Sequence, residues 1–302
     1  MRILITGGAG FIGANLCNAA LARGHQVSVL DDFSTGRMAN LDDLPVALTR
    51  GSVLDPAALA AASDGVDAIV HLAAQASVPR SIDDPERTRQ VNVEGTACVL
   101  DAAAVRGCHV VFASTCAVYG DSAALPIVEE APADPVSPYA VSKLDAESLV
   151  LDSGLDACVF RLFNVYGPHQ PVDHAYAAVV PAFLDAILHG RSLTVYGDGE
   201  QSRDFVSASF VVDVVLTALE SRLAYGGPVN VAAGTRTSVN ELITALETVT
   251  GRVASVVRTD ARVGDVRDSH AAIDLLRSLV PSVSPESLES GLRRTHAWWV
   301  AQ

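Results

Sequence analysis

Basic residues are scarce in this sequence: 21 Lys and Arg stand against 35 Asp and Glu, which gives a formal net charge of −14. Proteins that bind nucleic acid present a basic surface to the phosphate backbone, so this balance argues against a nucleic-acid partner. It does not argue against a small anionic ligand, because a few arginines inside a cleft can outweigh the field of the whole protein. Such a ligand would have to be held by particular arginine side chains.

The sequence also lacks paired cysteines, Cys/His clusters and long apolar runs. The apolar segments within residues 1–30 are interrupted by glycines and carry no basic segment, so they do not resemble a signal peptide. No run approaches the roughly 20 apolar residues of a membrane span. We therefore predict a cytoplasmic protein with no metal site and no membrane partner. The scattered cysteines are expected to be buried thiols in a reducing compartment: Cys17, Cys98, Cys108, Cys116 and Cys158.

Apolar residues are abundant, at 49% of the 302 residues, which is ample for a large core. In the first half of the chain, short continuous apolar runs alternate with longer helical stretches. Continuous runs are typical of parallel strands buried on both faces, and their alternation with helices predicts an α/β fold with a doubly wound parallel sheet. The predicted strands are Arg2–Thr6, Gln26–Leu30, Val46–Thr49, Ala68–His71, His109–Ala113 and Ala157–Arg161.

A glycine-rich segment, TGGAGFIG at residues 6–13, directly follows the first predicted strand and opens the first predicted helix. Glycines at 7, 10 and 13 would let the backbone turn tightly, approach a pyrophosphate and pack helix against sheet. The phosphates would then lie on free N–H groups at the positive end of the helix. Because the strand, the helix and an acidic residue at the next strand end all agree, Gly7, Gly10 and Gly13 predict a dinucleotide site.

The acidic residue is Asp31, which closes the second predicted strand. A carboxylate at this position can accept both ribose hydroxyls of NAD, and it repels the additional phosphate of NADP. Asp32 adds to that repulsion, whereas Arg37 is near enough in sequence to favour NADP instead. The balance of these charges predicts NAD as the cofactor.

Tyr139 and Lys143, in the segment YAVSK, are spaced to lie on one face of a predicted helix over Pro138–Leu151. A tyrosine is a poor base at neutral pH, but a nearby ammonium favours the phenolate. The pair could then take a proton from a sugar hydroxyl while hydride leaves the same carbon for NAD. Thr115 follows the predicted strand at 109–113, at the sheet edge where catalytic groups collect in such folds.

Together the motifs TGGAGFIG, HLAAQASVPRS (71–81), STCAVYG (114–120), YAVSK, RLFNVYGP (161–168) and GDGEQSRDF (197–205) resemble the extended short-chain dehydrogenases of the NAD-dependent epimerase/dehydratase family, which act on nucleotide sugars. The resemblance covers essentially the whole chain. It implies a Rossmann-type NAD-binding domain with a smaller α/β substrate-binding lobe, and a homodimer. We assign 1–163 to the first domain, with 203–231 returning to it, and 164–202 and 232–302 to the lobe.

The resemblance also implies roles for individual residues. Thr115, Tyr139 and Lys143 match the family's catalytic residues, and Tyr139 and Lys143 also face the cofactor. Further cofactor contacts are implied at Phe11, Ile12, Val53, Leu72, Ala73 and Ala74. Substrate contacts are implied at Ser77, Thr115, Asn164, Arg203, Arg262 and Asp265, with the two arginines holding the diphosphate of a nucleotide sugar, most simply a UDP-linked one.

Four positions depart from the family pattern: Ser52, the pair Ser209-Phe210 and Ala272 stand where relatives often have acidic residues. Cys116-Ala117 follows Thr115 where 4,6-dehydratases of this type carry an Asp-Glu pair, and decarboxylases tend to keep a glutamate at the second position. Without those groups, water removal across C5 and C6 lacks its general acid and base.

The residues that remain suffice for 4-epimerisation through a transient 4-keto sugar, so we predict a nucleotide-sugar 4-epimerase. Two alternatives stay open: an unusual dehydratase that uses the Cys116 thiol, and a non-catalytic NAD sensor. Sensors typically lose the tyrosine and lysine that this chain keeps.

The size of the sugar substituent at C2 is the last inference from the resemblance. Epimerases of this kind place a gatekeeper seven residues after the second phosphate-binding arginine, which here is Ser269. Serine leaves room that a tyrosine would fill, and its hydroxyl can meet an acetamido carbonyl. We therefore expect UDP-N-acetylhexosamines to be accepted alongside UDP-hexoses, unless Ser269 is an ordinary loop residue.

Overall fold

A computed structural model describes residues 1–121, 124–172, 178–261 and 267–302. The strands, in chain order, are β1 Arg2–Thr6, β2 Gln26–Asp31, β3 Ala47–Arg50, β4 Ala68–His71, β5 His109–Thr115, β6 Ala157–Leu162, β7 Asn164–Tyr166, β8 Leu193–Tyr196, β9 Ser202–Arg203, β10 Phe205–Ser207, β11 Pro228–Val231, β12 Thr237–Ser238 and β13 Val256–Thr259.

The α-helices are α1 Phe11–Ala22, α2 Pro56–Ala62, α3 Val78–Asp83, α4 Pro85–Arg89, α5 Gly95–Arg106, α6 Pro138–Leu151, α7 Val179–Leu188, α8 Ala208–Glu220, α9 Val239–Thr250, α10 Asp274–Leu279 and α11 Leu288–Val300. A π-helical turn, Gln90–Glu94, joins α4 to α5, and short 3₁₀ turns cover Met38–Leu41 and Cys116–Tyr119. Within the described ranges, no helix is both long enough and apolar enough to cross a membrane.

The central sheet has seven strands in the order β11-β6-β5-β4-β1-β2-β3, and all of its pairings are parallel. Strand order reverses beside β1, which pairs with both β2 and β4, so a crevice opens at the carboxyl ends of these strands. This arrangement confirms the predicted doubly wound α/β fold. It also places the ends of β1, β2, β4 and β5 along one edge.

Apolar side chains fill both faces of the sheet, which explains why its strands are continuous apolar runs. One core lies between the sheet and the helices α1 and α8, and the other lies between the sheet and α2, α5 and α6. A third apolar cluster joins α7, α9 and α11 to β8 and β10, outside the main sheet. The chain therefore builds a second, smaller body beside the carboxyl edge of the strands.

The predicted strands in the first half of the chain are present, with ends that differ by at most two residues. The chain from Pro85 to Arg106 is helical throughout, but the π-helical turn divides it into α4 and α5. The edge strand β11 pairs with β6, so residues 228–231 lie in the main sheet.

Candidate active site

The glycine turn between β1 and α1 brings backbone from three segments into close contact. Gly7 has a positive φ of 72°. A Cβ at Gly7 would lie 2.8 Å from the nitrogen of Ala73, and one at Gly13 would lie 2.3 Å from the Gly7 carbonyl oxygen. Gly10 is the N-cap of α1, and no side chain caps that end of the helix. The N–H groups of the first turn, which holds Phe11 and Ile12, are therefore left for an anionic ligand, as dinucleotide binding requires.

Asp31 closes β2 beside this turn. One carboxylate oxygen accepts the amide of Ala9 at 2.9 Å, and the other accepts the amide of Phe33 at 2.8 Å. Burial raises the pKa of the Asp31 carboxyl, and these two amide bonds oppose the increase. The carboxylate is thus held in place with lone pairs left for hydroxyl donors, which fits the ribose of NAD.

The segment after β4 runs past the same turn. The amide of Leu72 donates to the Thr6 carbonyl at 3.2 Å, and the amide of Ala73 donates to the Thr6 hydroxyl at 3.3 Å. Ala74 follows in the same segment, and Ser77 caps α3 by accepting the amide of Arg80 at 3.3 Å. The predicted residues of this segment therefore lie along the cleft edge.

Val53 lies in the segment after β3 and is buried against α5. A Cβ added at Gly95 would come within 2.7 Å of its side chain. The Val53 side chain therefore packs against Gly95, the first residue of α5, and joins the segment after β3 to that helix.

Asn92, in the π-helical turn, connects the segment after β4 to α6. Its side-chain oxygen accepts the amide of Gln75 at 2.7 Å, and its amide donates to the Ser142 hydroxyl at 2.9 Å. Ser142 in turn donates to the carbonyl of Tyr139 at 2.8 Å. A π-helical turn moves a side chain out of the regular α-helical repeat. Here that side chain is Asn92, and its hydrogen bonds connect the start of α6 to the segment after β4.

His71 ends β4 and is fully buried. Its Nδ1 lies 2.8 Å from the Thr6 hydroxyl, and its Nε2 lies 3.0 Å from the Thr96 hydroxyl. Thr96 donates its own proton to the Asn92 carbonyl at 2.6 Å, so we assign the ring proton to Nε2. Burial, with a contribution from the charge of Lys143, lowers the pKa of His71 to about 3, and the ring is neutral.

Lys143 lies on α6 with its side chain buried, and its Nζ is 4.1 Å from the centroid of the Phe112 ring. Burial lowers the pKa of Lys143 to about 7, and the carboxylate of Glu147 acts in the opposite direction. The amine is thus poised between its charged and neutral forms near neutral pH. Lys143 is also the single lysine of the sequence.

Tyr139 lies one turn before Lys143 on α6. Burial raises the pKa of its phenol to about 12, and the nearby Thr115 side chain opposes that increase. A phenolate therefore needs positive charge nearby. The structure thus brings the predicted catalytic residues Thr115, Tyr139 and Lys143 to one edge of the sheet.

Cys116 follows Thr115 in the first position of a 3₁₀ turn. Burial raises the pKa of its thiol to about 12, with Arg203 lowering it and Asp204 raising it. Cys116 also raises the pKa of Tyr139, so the thiol lies near that tyrosine as a protonated S–H group.

Arg203 and Asn164 lie where the sheet meets the smaller lobe. Asn164 begins β7, which pairs with β10, and its amide donates to the Asp204 carbonyl at 3.1 Å. Arg203 donates to the Ser202 carbonyl at 2.8 Å, and that carbonyl also accepts the amide of Ser269 at 3.2 Å. Asn164, Arg203 and Ser269 are thus near one another, whereas Arg262 and Asp265 lie outside the described residues.

Asp204 is a site residue that the sequence patterns did not single out. Its fully buried carboxylate accepts the amides of Ala233 at 2.8 Å, Gly234 at 3.0 Å and Ala271 at 3.2 Å. It therefore joins three separate segments beneath Arg203. The sequence did contain a signal, because Asp204 precedes the apolar residue Phe205. A carboxylate that is buried beside such a residue needs hydrogen-bond donors.

The departures from the family pattern are explained in part by packing. Ser209 donates to Glu286 at 2.7 Å, and Phe210 is buried in the core beneath α8. Ser52 accepts the amide of Leu54 at 3.2 Å, and the amide of Ala272 donates to Ile127 at 2.8 Å. Ser209 thus forms a hydrogen bond within the protein, and Phe210 contributes to the apolar core.

The fold and the site define a nucleotide-binding enzyme of the short-chain dehydrogenase type. The model of the NAD dependent epimerase/dehydratase family matches residues 3–232, and the chain belongs to this family. The predicted resemblance is confirmed, as is NAD, which the family description names. A UDP-glucose 4-epimerase from Mycolicibacterium smegmatis is 36% identical over 98% of this chain and 97% of its own.

Other relatives include a second 4-epimerase, a dehydratase and a decarboxylase. The structure of a UDP-N-acetylglucosamine 4-epimerase from Methanobrevibacter ruminantium, in complex with UDP-N-acetylmuramic acid, is 35% identical, with a TM-score of 0.93 over 100% of this chain and 98% of that one. The NDP-hexosamine 5,6-dehydratase TunA is also 35% identical, with a TM-score of 0.87 and the same coverage. A UDP-N-acetyl-alpha-D-glucosaminuronate decarboxylase from Bacillus cytotoxicus is 30% identical over 99% of this chain and 97% of its own. These relatives thus share the family and differ in the reaction that they are named for.

Replacing Gly13 with alanine tests whether the glycine turn between β1 and α1 binds NAD. The added Cβ would overlap the Gly7 carbonyl oxygen at 2.3 Å, so the turn must open. We expect NAD affinity to fall by about tenfold or more, measured by calorimetric titration. Gly226→Ala is the control, because its Cβ would meet nothing within 4 Å. Equal NAD affinity in both variants would contradict the assignment.

Proposed function

We propose that this protein is an NAD-dependent nucleotide-sugar 4-epimerase that works through a transient 4-keto sugar. The observation that carries the proposal is the placement of Thr115 beside Tyr139, with the buried amine of Lys143 one helical turn away. The epimerases among the relatives support the same reaction.

The glycine turn and Asp31 would hold the cofactor. Gly7, Gly10 and Gly13 leave backbone space for the pyrophosphate, and Asp31 offers carboxylate oxygens to the adenosine ribose. Bound NAD supplies a reversible hydride acceptor. The remaining task of the protein is to move one proton and to orient the sugar.

Tyr139 is assigned the proton transfer at the C4 hydroxyl. Its phenolate is disfavoured by burial, and we assign the compensating positive charge to the ammonium of Lys143, one turn further along α6. The Thr115 hydroxyl, beside the phenol, can hold the substrate oxygen in line. Because a 4-keto sugar has a planar C4, rotation of the sugar followed by return of hydride and proton to the other face inverts that carbon.

We further propose that the substrate is a UDP-linked sugar. Arg203 and Asn164 lie together at the junction of the sheet and the lobe, and the resemblance adds Arg262 and Asp265 to this group. A guanidinium group can donate two parallel hydrogen bonds to the oxygens of one phosphate. Such contacts would allow a protein of net charge −14 to hold a diphosphate. Ser77, the N-cap of α3, is proposed to contact the sugar. The homodimer stays a prediction.

A dehydratase is the second candidate, because the Cys116 thiol lies near Tyr139 and TunA has the same 35% sequence identity to this chain as the epimerase structure. In a 4-keto sugar the C5 proton is acidic, and its removal with loss of the C6 hydroxyl forms a C5–C6 double bond and releases water. Burial keeps the Cys116 thiol protonated, so it could pass its proton to the leaving hydroxyl and take up the C5 proton in return.

Product analysis with a panel of UDP-sugars tests the first proposal. We expect the wild type to return an isomer of unchanged mass with no net consumption of NAD. Tyr139→Phe should lower kcat by about 10²–10⁴-fold with little change in substrate affinity, because the lost hydroxyl acts in the transition state. Tyr225→Phe, at a surface tyrosine, is the control and should keep wild-type kcat. Normal turnover by Tyr139→Phe would refute the assigned role.

The same product spectra separate the two reactions. A product lighter by one water would identify a dehydratase, and Cys116→Ala should then abolish that product. If the protein is an epimerase, Cys116→Ala should retain most of its turnover, because the thiol takes no part in proton transfer at C4. Retained water loss in Cys116→Ala would exclude the thiol as the acid.

The choice between hexose and N-acetylhexosamine is tested at Ser269. We expect UDP-N-acetylglucosamine to be accepted alongside UDP-glucose. Ser269→Tyr should lower the ratio of their kcat/KM values by about tenfold, since the ring would crowd an acetamido group. Ser278→Tyr, at an exposed serine of α10, is the matched control. An unchanged ratio in Ser269→Tyr would show that this residue is not the gate.

A further inference from the structure

A buried ion pair lies directly behind the catalytic lysine. Glu147 follows Lys143 by one turn of α6, and its carboxylate accepts two bonds from Arg161 of β6, at 2.5 and 3.1 Å. The side chains are 3% and 6% exposed, so neither charge is solvated. A third bond, from the Ser114 hydroxyl at 2.8 Å, ties the carboxylate to β5.

Both partners are fixed by further contacts. Arg161 donates to the Glu129 carbonyl at 3.2 Å, and its guanidinium lies 4.6 Å from the centroid of the Tyr119 ring. The pair therefore joins β5, α6 and β6. Ser114 immediately precedes Thr115, so the pair supports the same strand end and helix that carry the catalytic residues.

Such a pair is costly, because two ions are removed from water and an apolar pair of similar volume is often as stable. Within the described part of the chain, Lys143 forms no salt bridge of its own. Its amine rests against the Phe112 ring and within the field of Glu147. The carboxylate is thus near the lysine but occupied by Arg161 and Ser114.

The charged and titratable groups that surround Lys143 are few. His71 of β4 is neutral, Tyr139 lies one turn earlier on α6, and Arg161 on β6 is engaged by Glu147. Burial pushes Lys143 toward the neutral amine, and Glu147 is the group that opposes it. Glu147 lies two turns from Tyr139, so its field acts mainly on the lysine.

We propose that Glu147 is a positioning residue that keeps Lys143 charged beside Tyr139, while Arg161 and Ser114 prevent its carboxylate from drawing the ammonium away. The inference rests on the proposed function, in which Lys143 stabilises the Tyr139 phenolate.

The expected pH behaviour follows from proton counting. The catalytic form, phenolate with ammonium, and the idle form, phenol with neutral amine, hold the same number of protons. Removing the Glu147 charge favours the neutral amine, so the catalytic form becomes scarcer at every pH. The first of the two protons that Tyr139 and Lys143 share is also lost at lower pH. Activity should fall while its acid limb moves to lower pH, a combination that a loosened structure would not produce.

The test follows the lysine itself. Full-length protein labelled with ¹³C-lysine carries a single labelled side chain, because Lys143 is the single lysine. We expect the NMR titration midpoint to fall by about one pH unit in Glu147→Gln. Since that variant leaves Arg161 buried without its partner, the double variant Glu147→Gln/Arg161→Met is measured as well, and its midpoint should also fall. Bound NAD is quantified in each preparation, and only preparations of equal occupancy are compared.

Asp145→Asn is the matched control, because it removes an exposed carboxylate from the same helix. A midpoint that is unchanged in the double variant, or that moves equally in the control, would overturn the proposal. The pH profile of kcat/KM supplies the second readout. Absence of turnover in the wild type would refute the proposed function, whereas the titration would still report on Glu147.

Discussion

Lys143 carries its amine into the interior of the fold, against the face of an aromatic ring and beneath the carboxyl edge of a parallel sheet. Placing an amine there is unfavourable for its charge, and much of the surrounding structure can be understood as a response to that condition. His71 is neutral and fully hydrogen-bonded, so it adds no further positive charge. The negative charge of Glu147 is held close by groups on two strands.

The same edge of the sheet explains why the glycine turn and the proposed catalytic residues are so near each other. The backbone at Gly7 touches Ala73, which follows the β4 histidine, and Asn92 links that segment to the helix of Tyr139. A displacement of any of these segments would be transmitted to the others through short hydrogen bonds. The chemistry therefore depends on backbone contacts as much as on the reacting side chains.

Local patterns were sufficient to predict the strands of the first half, the glycine turn and the Tyr139–Lys143 face, because each is encoded within a few consecutive residues. The partners that support them were not predictable in this way. Arg161 meets Glu147 across a helix and a strand, and Asp204 binds amides of Ala233 and Ala271, which only the tertiary fold brings together. A charged residue inside an otherwise apolar strand was a signal that a partner must exist, but not of where it lies.

One feature of composition gains meaning from the fold. The single lysine is buried on α6, so the charged side chains that bring positive charge to the surface are guanidinium groups. Enzymes that acetylate, methylate or ubiquitinate proteins act on accessible lysine amines, and the folded chain offers them none on a side chain. Control of this protein through lysine modification would require α6 to open first, which would also dismantle the active site.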